Sequence, residues 1–307
     1  MGTPPEPKRD MAPLRGTRRS NRRLPRRAAV GTRRTFTSTL KALDELARSG
    51  AQVSVHIDDL DRGTPVLAGD DFVTLPVAGL GVVPLLIEVA AQIENGTLDG
   101  LEIIDRSTID RVETGGVWQH LKAPALPIVD LAVLAAATGD AAAANALIAR
   151  VGLPEVRARI EQLGLARSAL LDRFRDDRGP DDAPHVALGT TREFAQLFAA
   201  LVNSEIVTAG VSAQVAEWLS LNHDLSLVAS ATGLDPFAHF NDEHGLLFIN
   251  KTGQDAGIRA EAGVIAGPRA GLAYALTVCF DDLSITHRLR AHDAFRTLGV
   301  ELMEYVF

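Results

Sequence analysis

The chain has a single cysteine, Cys279, among 307 residues, which excludes an intrachain disulfide and any site built from several thiolates. Cys279 lies in an apolar, strand-like stretch and reads as a packing residue. Histidine is not arranged for metal either. His56, His120, His185, His223, His239, His244, His287 and His292 form no pair at H-x-x-x-H or H-E-x-x-H spacing, so no metal site is expected and no cofactor is implied. The longest apolar stretch, 72–87, is too short and too interrupted by glycine and proline to span a bilayer. No internal repeat is visible.

What is present is an ordinary globular composition, 46% hydrophobic and 23% charged, with charge unevenly spread. The first 34 residues carry eleven Lys/Arg against Glu6 and Asp10, leaving 20 basic and 37 acidic residues for the rest. A body this acidic argues against nucleic-acid binding by the folded part, because phosphates attract basic faces. The head (1–35) has no apolar periodicity and is expected to be disordered. Its string Thr32-Arg33-Arg34-Thr35-Phe36 resembles a twin-arginine export signal, but an amphipathic charged helix around 40–48 follows where an apolar stretch is needed. The expectation is therefore cytoplasmic, with Met11 an alternative start.

Beyond the head, a helix at about 36–49 precedes a β-hairpin formed by 53–57 and 65–68 around a turn at 59–63. Residues 82–96 are apolar almost all round, as in a helix buried in a core, and stop at Asn95-Gly96. From 125 to 222 the pattern is helical. Asp140 can cap the alanine-rich helix 141–151, Pro154 starts the next, and Thr190-x-x-Glu193 forms a capping box. Between these helices, 172–184 is a charged Gly/Pro-rich surface loop. Three strand candidates follow at 246–250, 262–266 and 272–280, then a final helix at about 283–304. Strands at both ends and helices between imply an α+β fold: one antiparallel sheet of five strands from both chain ends, plus an all-helical lobe. The α/β lobe would take about 36–75 and 230–307, the helical lobe about 76–229.

Local strings carry a family likeness. Lys251-Thr252-Gly253 ends a strand, Gly257-x-Arg259-x-Glu261-x-Gly263 continues it, and Gly115-Gly116-Val117-Trp118-Gln119 precedes the apolar run 126–131. With the order of elements, these resemble the class A β-lactamases and their serine-hydrolase relatives, with K-T-G at 251–253. The likeness covers about 270 residues. It implies that Lys251, Thr252, Gly253 and Arg259 line a cleft and hold a ligand carboxylate, Arg259 in bidentate fashion. It also implies an oxyanion site from the backbone N–H groups of Gly79 and Gln254, which needs no particular side chain. The competing reading is structural, with Lys251 paired to Asp140 or a loop carboxylate and Arg259 to Glu261 or Asp255.

The remaining family motifs are degenerate. Where the family reads A-S-x-x-K-x-P, this chain reads Ala78-Gly79-Leu80-Gly81-Val82-Val83-Pro84, with Gly79 at the serine and Val82 at the lysine position. Aligned on Asn145, the S-D-N loop becomes Gly139-Asp140-Ala141. After Leu171-Asp172-Arg173-Phe174 the family's glutamate is replaced by Arg175, then Asp176 and Asp177. Acyl-enzyme chemistry needs a nucleophile and a base within reach of each other, and neither stands at its expected place. Three functions follow. The leading expectation is a pseudoenzyme that binds a small carboxylate-bearing or peptide-like ligand, or a partner protein, without covalent turnover. The alternative is an enzyme of altered, non-serine chemistry, a hydrolase or acyl transferase, with Lys251, Asp140 and Asp176 the catalytic candidates. The third is an active β-lactamase-type hydrolase, which requires a different register at Gly79. His223-Asp224 and Asp242-Glu243-His244 lie in loops and read as exposed polar clusters rather than acid/base groups, and Trp118 and Phe237 as core rather than cleft lining. The oligomeric state is left open.

Overall fold

The computed structural model describes residues 36–113, 115–238, 245–282 and 284–307. The basic head, His239 and the Asp242-Glu243-His244 cluster lie outside these residues. Helix α1 (Thr37–Arg48) buries Thr39, Leu43 and Leu46 at helical spacing and leads into the hairpin β1 (Gln52–Asp59) and β2 (Thr64–Gly69). After the short strand β3 (Leu75–Pro76), a 3-10 turn (Ala78–Gly81) opens α2 (Val82–Glu94), which ends before Gly96 in the left-handed region. Every residue from Val82 to Ala91 is buried. The one charge among them, Glu88, takes a 2.7 Å bond from Arg159 Nε and another from Gln92.

The chain continues through β4 (Ile103–Asp105), β5 (Ala125–Pro127), α3 (Ile128–Ala137), α4 (Ala141–Val151), α5 (Leu153–Gln162), β6 (Ala169–Leu170), β7 (Ala187–Gly189), α6 (Thr191–Val202) and α7 (Ala209–Ser220). The expected caps form: the Asp140 carboxylate accepts from Ala143 N and the Thr190 hydroxyl from Glu193 N. Thr190–Glu193 makes only half of a capping box, because the Glu193 carboxylate turns instead to Ser168 Oγ and Arg167 N. A 3-10 turn (Val228–Ala231) precedes three long strands, β8 (Leu247–Asp255), β9 (Ile258–Ala266) and β10 (Gly271–Cys279), and α8 (Ile285–Val306) closes the fold.

The sheet is five-stranded and antiparallel in the order β2-β1-β10-β9-β8, with strands from both chain ends, and the fold is the α+β plan read from the sequence. Alternation along the strands divides the core. Ala260, Ala262, Val264, Ala273 and Ala275 face the core shared with α2–α7, while Ile265, Leu272, Tyr274 and Leu276 face the core shared with α1 and α8. Small residues on the first face let helix α6 lie close across β1 and β10. Strand β8 is left as an edge. No helix of the described residues is long and apolar enough to cross a membrane.

One polar cluster sits under α6. His56, 1% exposed, places Nδ1 2.6 Å from Asp71 Oδ2, and Arg192 bonds the same oxygen at 2.8 Å. His56 Nε2 lies 3.0 Å from Asp58 Oδ1 but outside hydrogen-bond alignment. Burial lowers the imidazole pKa, and the Asp58 and Asp71 carboxylates outweigh it, so the net shift is upward. A raised histidine contributes stability that is full below pH 6.5 and lost as pH rises through its folded value. Urea denaturation from pH 6.5 to 9.5 should therefore show stability falling more steeply in the wild type than in His56→Gln. Parallel curves would remove His56 as the cause.

Candidate functional site

The two stretches that carry the family likeness meet main chain to main chain. The turn at 78–81 packs on β8 and β9. Ala78 holds φ +46°, a left-handed conformation that costs an L-residue about 1–2 kcal/mol and aims Gly79 at the strand. A Cβ placed on Gly79 would stand 2.8 Å from the Thr252 carbonyl oxygen. One on Gly253 would stand 2.1 Å from the Val77 oxygen and 3.1 Å from Gly79 N. Gly79, Thr252 and Gly253 are thus brought together, with Gln254 next along the strand, and neither glycine has room for a side chain.

Strand alternation separates the other predicted residues. Lys251 points to the helical side, where Nζ donates to the Ala136 carbonyl at 3.0 Å. That carbonyl belongs to the last turn of α3, so the ammonium meets the negative end of the helix dipole and ties the sheet to the helices. Burial of Lys251, opposed by the Asp224 charge, pulls its pKa down to about 8. Asn250, Thr252 and Gln254 lie on the opposite face, cross-strand from Gly263, Glu261 and Arg259. Lys251 and Arg259, expected in one cleft, therefore occupy opposite faces. The Arg259 guanidinium donates to the carbonyls of Asp255 and Ile258 and reaches His292 at 3.4 Å, and it forms no ion pair among the described residues. Its partners are thus neither of the carboxylates expected for it.

Asp140 is 1% exposed, and its carboxylate accepts from Val117 N, Trp118 N and Ala143 N at 2.7–2.9 Å. It caps α4 and fastens the 115–118 loop, where Gly116, at φ +88°, leaves no space for a Cβ. Both carboxylate oxygens are committed to backbone donors of the cap and the loop, which gives Asp140 a structural place in the fold. Asp176 accepts from Glu113 N in the surface loop at 172–184, which Asn145 anchors through two 2.8 Å bonds to the main chain of Phe174. Trp118 is fully buried, and Phe237, read as core, is 78% exposed and packs on the His223 ring. Among the described residues no cluster of His, Cys, Asp or Glu is arranged to hold a metal.

Asp224, read from the sequence with His223 as an exposed loop cluster, is instead half-buried and bonded to β8. Its carboxylate Oδ2 accepts from Thr252 Oγ1 at 2.6 Å and Gln254 Nε2 at 2.7 Å, and Oδ1 from Ser226 N at 3.1 Å. Burial works against its ionisation, but the bonds from Ser226, Thr252 and Gln254 prevail and its pKa is lowered. The surrounding segment forms a strap between α7 and the turn at 228–231. Asn222 Nδ2 bonds Asn250 Oδ1, His223 N donates to the Ala137 carbonyl, and Val228 N donates to Glu261 Oε2. The only sequence signal was the polar run Asn222-His223-Asp224 at a helix end, which names no partner.

The sequence model of the family described as "Beta-lactamase enzyme family" matches residues 35–306. A β-lactamase from Sphaerobacter thermophilus superposes with a TM-score of 0.75 at 20% identity, covering 87% of this chain and 96% of that one. PBP-A gives 0.72 at 17% identity over 89% and 97%. A β-lactamase from Xanthomonas campestris pv. campestris gives 0.71 at 18% over 88% and 98%. At such identities these likenesses establish the fold alone. No curated protein matches the chain.

Proposed function

The chain belongs to the β-lactamase enzyme family, and we propose that within it this protein is a pseudoenzyme, binding a small carboxylate-bearing or peptide-like ligand without forming an acyl enzyme. The observation that carries this reading is the backbone contact at the start of α2. Position 79 is a glycine whose α-carbon faces the Thr252 carbonyl, leaving no space for a nucleophile there. Position 82 is a buried valine, so no base stands one helical turn on. Thr252 and Gln254 present donors to an anion, and Arg259 forms no ion pair among the described residues.

Lys251 favours a second reading, altered chemistry in the same cleft, because a lysine lowered to about 8 is easily made neutral. Against it, Nζ is spent on the Ala136 carbonyl. Intact-protein mass spectrometry after incubation with benzylpenicillin and a cephalosporin separates the two. The expected result is unmodified protein and intact antibiotic over hours. An adduct, or antibiotic turnover that Lys251→Met abolishes, would establish the second reading. A PBP-A variant has been captured as an acyl enzyme with penicillin G, which makes that protein a positive control.

A further inference from the structure

We propose that Asp224 is a built-in occupant of the ligand's anion subsite, and that an external carboxylate binds by displacing it. This deepens the reading above and rests on it for the ligand class. The donors and the carboxylate come from different elements. Thr252 and Gln254 stand two apart on one face of β8, which is paired along its length to β9, so their backbone positions are held at fixed spacing. Asp224 comes from a loop without regular structure between α7 and the turn at 228–231. Both β8 donors converge on a single oxygen of that carboxylate, Oδ2, at 2.6 and 2.7 Å. Such short bonds to one anionic oxygen are what the pair would offer any carboxylate.

The local charge agrees. Arg259, cross-strand from Gln254, is bonded to carbonyls rather than to an acid, so the subsite keeps a positive field that Asp224 partly satisfies. Removing Asp224 therefore leaves the Thr252 and Gln254 donors without their anion and takes one of the negative charges, Asp255 being another, from near Arg259, and any small carboxylate that fits would restore it. In the wild type the same ligand competes with an intramolecular group, so its apparent dissociation constant is raised by the inverse of the open fraction.

The test uses the full-length 15N-labelled protein, titrated with N-acetyl-alanyl-alanine and, separately, with its C-terminal amide. The readouts are the Gln254 side-chain amide and the Thr252 backbone resonance. Asp224→Ala is expected to bind the acid at least tenfold more tightly than the wild type and to show no gain for the amide. Asp224→Asn, which keeps the volume and loses the charge, should gain in the same direction by less, and it stands in if the alanine variant does not fold. Folded variants that bind the acid no more tightly than wild type, or acid and amide alike, would overturn the proposal. That result with no penicillin adduct would leave the non-covalent reading standing. A penicillin adduct would sink that reading whatever Asp224 does.

Discussion

Gly253→Ala is expected to unfold about 6–9 °C below the wild type, which for a domain this size corresponds to a loss of about 3 kcal/mol. The methyl group would arrive 2.1 Å from the Val77 carbonyl oxygen, with Gly79 N at 3.1 Å and Leu80 N at 3.2 Å. All three are backbone atoms, so no side chain can rotate away, and either β8 or the 78–81 turn must move. Overpacking a close-packed contact costs about 1–3 kcal/mol, more when main chain has to shift. Gly79→Ala is the internal comparison. Its methyl meets one oxygen, Thr252 O, at 2.8 Å, and alanine recovers up to about 1 kcal/mol of the penalty glycine brings to a helical turn. The smaller loss belongs to Gly79. Thermal unfolding of both variants decides it: a Gly253→Ala midpoint within 2 °C of wild type would mean that the turn and the strand are not in contact. The same contact predicts that Gly79→Ser alone gains no acylation, because the new side chain starts from a blocked position.

That contact shows how far the sequence could be read. That the 78–81 turn meets the strand carrying Lys251-Thr252-Gly253 was legible, because both strings resemble family motifs that share one site. What they do on meeting was not, since backbone-on-backbone packing leaves no residue pattern beyond glycine itself. Asp140 was legible as a cap, which depends only on Ala143 three residues on, while its bonds to Val117 and Trp118 depend on a loop reversal. The face of each strand residue was in principle readable from period-two alternation. Lys251 and Arg259 were nonetheless expected together, because the register of β8 on β9, Gln254 opposite Arg259, is fixed by the turn at Gly257 and not by either residue. His56 with Asp71 and Arg192, and Asp224 with Thr252, join parts of the chain that no local periodicity links.

Glu261 is the buried group with the largest expected consequence. It is 0% exposed; Oε1 accepts from Asn250 Nδ2 and Tyr274 OH, and Oε2 from Val228 N, all at 2.7 Å. Glu261→Ala strands three buried donors at once. At about 1–3 kcal/mol for each unsatisfied group, with incomplete additivity, the expected loss is about 4 kcal/mol. Gln keeps the oxygen that serves Asn250 and Tyr274 but turns its amide toward Val228 N–H, so Glu261→Gln should cost about 2 kcal/mol. The pH dependence distinguishes charge from shape. Burial pushes the carboxyl from 4.5 up to about 7, the three hydrogen bonds only partly opposing it. A raised acid gives stability that is full below its unfolded value and lost as pH rises through its folded one, here between about pH 4.5 and 7. Two and a half pH units correspond to on the order of 3 kcal/mol. The lowered carboxylates Asp172 and Asp224 act in the opposite sense and below that window, because their contribution is lost only as pH falls through values under 3.8. Urea denaturation of wild type and Glu261→Gln from pH 4.5 to 7.5 therefore isolates one group: the wild-type curve should fall relative to the variant's. A constant difference across that range would show that Glu261 carries the same charge in the folded and unfolded chain. Val228 N ends the strap that begins at Asn222, so the Glu261 carboxylate and the Asp224 loop share an anchor. A wild type whose subsite opens more readily above pH 7 than at pH 5 would then report repulsion between the ionised Glu261 and Asp224 carboxylates.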